Sequence, residues 1–319
     1  MLLGAHKVAP AIACGASLTL KPPPQDPLST ELLGDLVAEC GYPAGGINVV
    51  PCDLPVAQRL VADERVRMVS FTGSAKAGWA IRAGAGTKRV ALELGGNAGV
   101  IVEPDADLAR AVERCAVGGY AYAGQSCISV QRIFVHRDVY DEFLSRFVLR
   151  VRALRTGDPL DPATDVGPMI EEVAARRAEA WIGAAGRDGA RIECGGGRTG
   201  AVLEPTVLTR TKAEQQVNCE EVFAPVTTVT PYAEFDEAVA RVNGTAYGLQ
   251  AGIFTRDVHR LMQAWDRLDV GGVMGNDIPS FRVDRMPYGG SKASGLGREG
   301  VRYAIQEMTE PRLLTLQTE

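Results

Sequence analysis

Cys127 and Glu93 are the two side chains whose types and surroundings favour covalent chemistry. Cys127 ends the stretch GQSC, so a glycine and small polar residues precede it, and a bend there would present its sulfur to a cavity. Glu93 lies in LELGGN, at the end of a predicted strand and 34 positions earlier (127 − 93). A cysteine thiolate is a nucleophile and a carboxylate can accept a proton. An inert core cysteine and a lone carboxylate at a strand end are the alternatives from the residues alone.

The cysteine and histidine content limits what else Cys127 could do. The chain has seven cysteines, an odd number, with no C-x-x-C pair. Its three histidines lie far apart in sequence and form no ligand motif. Neither a disulfide framework nor a zinc site is therefore indicated, and we expect no metal. A free thiol in a reducing compartment remains.

Charge and hydropathy exclude other classes of protein. The 319 residues carry a formal net charge of −5, without a block of like charges, which argues against nucleic acid or a membrane surface as partner. No apolar run approaches the ~18–20 residues of a membrane helix. The first residues contain His6, Lys7 and Pro10 where a signal peptide is apolar. We expect a cytoplasmic chain.

Short apolar runs alternate with helical patterns, which indicates an α/β fold with parallel, helix-covered sheets. The first third predicts strands at 16–20, 47–50, 69–72 and 89–94 and helices at 29–40, 54–62 and 75–84. The rest predicts strands at 99–102, 132–135, 203–207 and 225–229, helices at 108–122, 139–154, 181–185, 235–242 and 258–268, and a lone strand, Leu313–Leu316. We expect a partial dinucleotide-binding domain over 1–95, a catalytic domain over 96–300 and a C-terminal segment over 301–319.

A phosphate-type turn precedes Glu93. FTGSAKAG places glycine and serine between a predicted strand and a predicted helix, although such a turn alone is more often purely structural. The order of this turn, LELGGN and GQSC makes the three segments more informative together than separately.

The chain resembles the aldehyde dehydrogenase superfamily over its whole length. The matching stretches are AHKVAPAIACG, LKPPPQDPLS, VSFTGS, LELGGN, AGQSC, GDP…GPMI, NCEEVFAPV, YGLQAGIFT and MPYGGSKASGLGREG. The resemblance implies oxidation of an aldehyde to a carboxylic acid with NAD(P). Cys127 would attack the carbonyl, hydride would leave for the nicotinamide, and Glu93 would activate the water that hydrolyses the thioester. Glu93 is absent from the similar branch that transfers the acyl group to coenzyme A, and Glu310 falls where members often have a carboxylate on the water path.

The resemblance also implies a nicotinamide cofactor site without the common G-x-G-x-x-G pattern. The implied residues are Lys21 at the adenine ribose, Gly73 and Ser74 at the pyrophosphate, Gly78 where a helix packs on the sheet, Leu94 beside the cofactor, and Glu221 and Phe223 at the nicotinamide ribose and ring. A solvated lysine, an N-cap serine and a surface acid are the plain alternatives. Pro24 stands where NAD-preferring members commonly have glutamate, so we expect tolerance of NADP.

The stretch NDIPSFRVDRMPYGG resembles a branch acting on small, often anionic aldehydes such as lactaldehyde, glyceraldehyde 3-phosphate or phosphonoacetaldehyde. Arg282 or Arg285 would then bind the anionic group. Each is equally well explained as a surface arginine in a loop. The sequence does not identify the aldehyde.

The chain departs from the family at its start. Members have an earlier portion with a sheet strand, a hairpin used in subunit contact and an oxyanion-hole asparagine, whereas the first asparagine here is Asn48. Losing one oxyanion donor costs ~10²–10³ in rate. We expect a fragment, a truncated gene or a misassigned start, and a family-type dimer or tetramer weakened by the missing hairpin. A non-catalytic cofactor-binding or interaction protein and a thiol esterase are the other hypotheses. Ala224, where glycine is usual, is a smaller departure.

Overall fold

The computed structural model describes residues 2–318, which divide into two compact units. The first comprises the chain up to Leu94, Val283–Gly289 and the chain from Gly295 onward. The second comprises Gly95–Arg282 and Gly290–Ser294. The chain first passes from one unit to the other between Leu94 and Gly95, and the segment from residue 301 onward is part of the first unit. The assignment of dinucleotide-binding and catalytic roles to these parts stays a prediction.

The first unit alternates helices and strands, as its sequence predicts. Its elements are α1 (Leu2–Ala13), β1 (Leu18–Leu20), α2 (Leu28–Glu39), β2 (Ile47–Val49), α3 (Leu54–Ala62), β3 (Met68–Thr72), α4 (Ala75–Gly84), β4 (Arg89–Glu93), β16 (Gly295–Leu296) and α11 (Val301–Met308). β1 pairs in parallel with β2, and a separate sheet has the order β16-β4-β3, with β3 and β4 parallel. Leu92 and Leu94 lie in its small buried core.

The second unit contains the larger sheet. Its elements are β5 (Ala98–Val102), α5 (Leu108–Tyr120), β6 (Val130–His136), α6 (Tyr140–Arg152), α7 (Glu172–Arg187), β7 (Arg191–Cys194), β8 (Arg198–Thr199), β9 (Val202–Leu203), β10 (Thr206–Thr209), α8 (Gln216–Cys219), β11 (Val226–Tyr232), α9 (Phe235–Asn243), β12 (Tyr247–Gly248), β13 (Gln250–Phe254), α10 (Val258–Arg267), β14 (Gly272–Gly275) and β15 (Ser291–Lys292). Seven strands form one sheet in the order β14-β13-β5-β6-β11-β10-β7, parallel except for β7.

Burial on both faces explains the composition of the central strands. Every residue of β5 (AGVIV) and β13 (QAGIF) is buried, as in parallel sheets covered by helices on both sides. On one face, Phe143 and Phe147 of α6 are fully buried and stack with ring centroids 5.5 Å apart. This sheet is the rigid support of the segments that carry Cys127 and Glu221.

The terminal strand predicted at Leu313–Leu316 is wrong. Residues 309–318 form neither helix nor strand, and the side chains of Leu313, Leu314 and Leu316 are 92, 79 and 76% exposed. A strand requires a hydrogen-bonded neighbour, and this segment pairs with no other described segment. No helix within residues 2–318 combines the length and apolar character that spanning a bilayer requires.

The sequence analysis also missed other elements, including α1, α11, β7, β13 and β14. α1 carries Pro10 near its end, a residue that argues against helix interiors. β7, β13 and β14 have short or glycine-containing sequences with weak strand patterns.

Candidate active site

The backbone before Cys127 turns through three consecutive left-handed residues. Tyr122, Ala123 and Gly124 have φ values of 53°, 54° and 66°, directly after α5. This conformation costs ~1–2 kcal/mol for each residue that carries a Cβ. Gly124 also lies against another segment, because a Cβ there would come within 2.1 Å of the carbonyl oxygen of Ala224. The sharp bend expected before Cys127 is therefore present.

Cys127 lies in a turn whose backbone is fixed on both sides. Ser129 N–H donates to the carbonyl of Ser126 (3.0 Å), and Ser129 Oγ donates to that of Gly118 (3.1 Å). Ser280 Oγ donates to the carbonyl of Ile128 (2.8 Å). Cys127 is half-buried and the chain's seven cysteines are all free. Its sulfur is therefore held in place without being sealed in the core.

Cys115 provides the contrast to Cys127. It lies on α5 with no exposed surface, and burial raises the pKa of its thiol well above the usual range. A thiol in such surroundings stays protonated and unreactive. Cys115 therefore has the environment of an inert core cysteine, whereas Cys127 has an accessible one. The sequence alone did not decide between these two environments for Cys127.

Gly95 and Gly96 bring Cys127 and Glu221 together. A Cβ at Gly96 would come within 2.1 Å of the Cys127 carbonyl oxygen, and a Cβ at Gly95 would come within 2.2 Å of Glu221 Oε2. The N–H of Gly96 donates to Glu221 Oε1 (2.9 Å). Only residues without a side chain allow this approach.

Glu221 and Phe223 face an open cavity in the second unit. The cavity is small and open to solvent, and it is lined by Gly96, Gly124, Ser126, Ser129, Gln131, Glu221, Phe223, Ala224 and Val226. Phe223 adopts φ 50° and remains 37% exposed, so it pays a backbone cost to present its ring. Burial raises the pKa of Glu221 to about 7, although the Gly96 N–H and Arg177 oppose this shift.

Glu93 is the last residue of β4 in the first unit. Its backbone is paired with Thr72 of β3 and Gly295 of β16, and its side chain is 6% exposed. A Cβ at Gly289 would come within 3.0 Å of Glu93 Oε1, so a glycine leaves space beside the carboxylate. Two strand ladders therefore fix the position of Glu93.

The predicted pyrophosphate turn opens α4. Ser74 is its N-cap, with Oγ accepting from Ala77 N–H (3.3 Å), and Gly73 N–H donates to the carbonyl of Glu93 (3.0 Å). A Cβ at Gly78 would come within 2.3 Å of Leu94 Cδ2. Only glycine at this position therefore lets α4 pack so closely on the end of β4. A helix N-terminus of this kind favours an anion.

Lys21 follows β1 and is half-buried. Its Nζ donates to the carbonyl of its neighbour Pro22 (2.8 Å), and Pro24 is exposed. No acidic side chain stands at position 24 to repel a phosphate.

The three remaining predicted side chains differ in exposure. Arg282 is half-buried, whereas Arg285 is exposed. Glu310 is also exposed, and its carboxylate lies 3.6 Å from the guanidinium of Arg89.

Sequence reasoning did not single out a polar cluster in the first unit. Lys7 Nζ donates to Glu299 Oε1 (3.0 Å) and to Ser70 Oγ (3.1 Å), and His6 Nδ1 lies 3.6 Å from Glu299 Oε2. Lys7 and Glu299 are both largely buried. Lys7 lies in AHKVAPAIACG and Glu299 lies in GLGREG, two stretches that resemble the family. This resemblance was the sign in the sequence that could have pointed to the cluster.

Each unit contributes side chains of chemical interest. The first unit contains the buried Glu93 and the N-terminus of α4, which suits an anion. The second unit contains the half-buried Cys127 and Glu221. Residues 2–318 contain no group of three histidine, cysteine, aspartate or glutamate side chains arranged to hold a metal ion.

Known proteins resemble this chain over nearly all of its length. The profile described as the aldehyde dehydrogenase family matches residues 1–314. A 3-sulfolactaldehyde dehydrogenase of Priestia megaterium is 44% identical over 312 residues, covering 98% of this chain and 65% of the relative. A lactaldehyde dehydrogenase of Methanococcus aeolicus is 38% identical, with 99 and 69% covered. The chain thus spans about two thirds of the length of these relatives.

Solved structures show the same fold. Aldehyde dehydrogenase 21 of Physcomitrella patens, in complex with the reaction product succinate, has a TM-score of 0.94 and 44% identity, covering 96% of this chain and 64% of that one. Glyceraldehyde-3-phosphate dehydrogenase GapN of Methanocaldococcus jannaschii, complexed with NADP, has a TM-score of 0.92 and 40% identity, with 96 and 68% covered. The chain belongs to the aldehyde dehydrogenase family.

Proposed function

We propose that the protein oxidises an aldehyde to a carboxylic acid with NAD(P), using Cys127 as nucleophile and Glu93 as general base. The observation that carries the proposal is the contact of Gly95-Gly96 with both Cys127 and the Glu221 carboxylate. This contact supports the proposal because it holds the backbone of Cys127 and the Glu221 carboxylate against the same pair of glycines.

The residues present fit a dinucleotide. Glu221 would accept hydrogen bonds from ribose hydroxyls, Ser74 and the N-terminus of α4 would hold the pyrophosphate, and Lys21 would bind at the adenine ribose. When bound, the nicotinamide accepts the hydride that the reaction removes. Gly78 lets α4 pack against Leu94, and Gly95 lets the Glu221 carboxylate approach the backbone.

The protein's own steps follow from these groups. Cys127 Sγ forms a bond to the aldehyde carbon, whose oxygen becomes an oxyanion in a thiohemiacetal. Loss of hydride from that carbon gives a thioester on Cys127. Glu93 takes a proton from water, the resulting oxygen nucleophile attacks the thioester, and the C–S bond breaks to release the acid and the thiolate.

The substrate we propose is a small aldehyde that carries an anionic group. Arg282, half-buried, would bind that group by charge-assisted hydrogen bonds. The relatives include dehydrogenases of 3-sulfolactaldehyde, lactaldehyde and sulfoacetaldehyde, and the Physcomitrella structure holds succinate. Three of these four named compounds are anionic.

The proposal also covers which nicotinamide cofactor is used, the oligomeric state and the cellular compartment. Structures of relatives hold NADP in one case and NAD+ in another, and Pro24 leaves room for the 2′-phosphate, so we propose use of NADP as well as NAD. A homo-oligomer and a cytoplasmic location are proposed from the family and from the seven free cysteines.

The test measures NAD(P)H formation with short aldehydes, with and without an anionic group. We expect Cys127→Ser to lower the rate by at least about 10³-fold, and Cys40→Ser, a change at an exposed cysteine, to leave it unaltered. Equal rates for the unaltered chain and Cys127→Ser would show that this sulfur is not the nucleophile. Cofactor binding without turnover would instead support a non-catalytic role.

A further inference from the structure

The loop that carries Glu221 has no regular secondary structure to hold it. α8 ends at Cys219 and β11 begins at Val226, so the residues between them lack the hydrogen bonds of a helix or sheet. Such backbone groups need side-chain partners when they are buried. Val222 and Ala224 are buried, which makes the partners of this loop informative.

Gln131 provides two hydrogen bonds to this loop and a third to α8 from one side chain. Its Nε2 donates to the carbonyls of Val217 (3.0 Å) and Glu220 (2.8 Å), and its Oε1 accepts from Val222 N–H (3.1 Å). Its amide thus fixes the backbone immediately before and immediately after Glu221. Gln131 is 6% exposed and lines the same cavity as Glu221.

Asn97 and Arg177 hold the same loop from other directions. Asn97 Nδ2 donates to the carbonyls of Asn218 (2.6 Å) and Glu220 (3.0 Å), and Asn97 directly follows Gly96, whose N–H binds the Glu221 carboxylate. Arg177 donates to the carbonyl of Val222 (2.8 Å), with its guanidinium 5.2 Å from the ring centroid of Trp181. We call Gln131, Asn97 and Arg177 the Glu221 clamp.

We infer that the Glu221 clamp positions the Glu221 carboxylate for the cofactor, with Gln131 and Arg177 acting as positioning residues. The inference rests on the proposed function, because it assigns Glu221 to the nicotinamide ribose. Gln131 lies four positions after Cys127 and is the second residue of β6, so it links the segment that carries Cys127 to the loop that carries Glu221. A neutral amide does this without adding a second charge beside the carboxylate.

A second buried glutamine provides a matched comparison. Gln250 is 3% exposed, and its Nε2 donates to the carbonyls of Pro279 and Phe281, in the loop that precedes Arg282. Gln131 and Gln250 are therefore chemically identical side chains that hold different loops. If a substitution at either glutamine only lowered stability, both variants would lose affinity for cofactor and aldehyde alike. If each glutamine positions its own loop, the change at Gln131 should weaken cofactor binding and the change at Gln250 should weaken aldehyde binding.

The experiment compares Gln131→Met with Gln250→Met, which keep side-chain length and remove the hydrogen bonds. We expect Gln131→Met to raise the KM and the Kd for NAD(P) by about 10- to 100-fold, with the KM for the aldehyde little changed. Gln250→Met should raise the aldehyde KM instead. Equal changes in both constants for both variants would overturn the inference in favour of a structural role.

Arg177→Met tests the same inference at an exposed side chain, where folding is less at risk. We expect Arg177→Met to raise the Kd for NAD(P) about tenfold. Calorimetric titration measures this Kd, and the melting temperature of the variant should equal that of the unaltered chain. Arg176→Met is the control, because Arg176 lies next to it on α7 and pairs with Glu172. Unchanged Kd values for both Gln131→Met and Arg177→Met would overturn the inference.

Failure of the proposed function would look different. If the unaltered chain binds NAD(P) without turning over aldehydes, the proposed reaction is wrong and the Kd comparison still decides the role of the clamp. If it binds no NAD(P), both proposals are overturned.

Discussion

Glu93 and Glu221 are carboxylates in two different structural settings. Glu93 ends a strand, and β3 and β16 pair with its backbone on both sides. Glu221 lies in a loop, and the side chains of the Glu221 clamp hold its backbone. Regular secondary structure positions the first carboxylate, whereas dedicated polar side chains position the second.

The two carboxylates also differ in their direct contacts. Glu93 Oε1 lies beside Gly289, which leaves space there because it has no side chain. Glu221 accepts a hydrogen bond from the Gly96 N–H, and neutral amides and Arg177 bind the backbone of its loop. Space beside the carboxylate suits the proposed water at Glu93, and a carboxylate held in place suits the proposed ligand at Glu221. The predictions below test this division of roles.

The largest effect is expected from Glu93→Gln. An amide cannot accept the proton of water, so steady-state oxidation should fall by about 10²–10⁴-fold. The first turnover should survive, because attack by Cys127 and hydride loss precede hydrolysis. Rapid-mixing measurement of NAD(P)H should therefore show a burst of about one equivalent.

Glu142→Gln, at an exposed carboxylate of α6 that pairs with Arg146, is the matched control and should leave the steady-state rate near that of the unaltered chain. Loss of the burst in Glu93→Gln would show that Glu93 acts before thioester formation.

A smaller loss is expected from Gly96→Ala. Its Cβ would come within 2.1 Å of the Cys127 carbonyl oxygen, so the backbone of one of the two segments must move. A displacement of about 1 Å near reacting groups costs on the order of 10²-fold in rate. The measurement is kcat together with cofactor Kd, since Gly96 also binds Glu221.

Gly84→Ala provides the control, because nothing lies within 4 Å of a Cβ at that helix position. It should leave activity unchanged and slightly raise stability. If Gly96→Ala is fully active and binds the cofactor as the unaltered chain does, Gly96 is not the contact that holds the Cys127 backbone and the Glu221 carboxylate.

The smallest effect concerns pH. Burial raises the pKa of Glu221 to about 7, so its carboxylate is ionised above that pH and protonated below it. Ribose hydroxyls donate to the ionised form, and cofactor affinity should therefore fall by up to about tenfold from pH 8 to pH 6. Titration of NAD(P) binding over this range checks the prediction.

Glu221→Gln should remove this dependence and bind the cofactor weakly at every pH. A dependence that persists in Glu221→Gln would assign the titration to another group.

The sequence predicted the parts of the site that lie within single motifs. The bend before Cys127, the end of β4 at Glu93 and the close packing at Gly78 each depend on neighbouring residues, and the structure contains them. The roles of these residues in catalysis and cofactor binding stay predictions.

Contacts between segments distant in sequence could not be predicted. Gln131 reaches Val222 across 91 positions and Lys7 reaches Glu299 across 292, and no local pattern marks either pair. The predicted strand at Leu313–Leu316 failed for a related reason, because an apolar alternating run forms a strand only where a partner edge is available.

The left-handed bend at Tyr122, Ala123 and Gly124 has a consequence for engineering. A glycine or asparagine at position 122 would relieve part of the local conformational cost, and a screen for heat resistance would select such a change. The Tyr122 side chain is 84% exposed, so its removal would cost little buried contact. A gain in heat resistance is therefore available in the turn that leads to the cysteine without any repacking of the core.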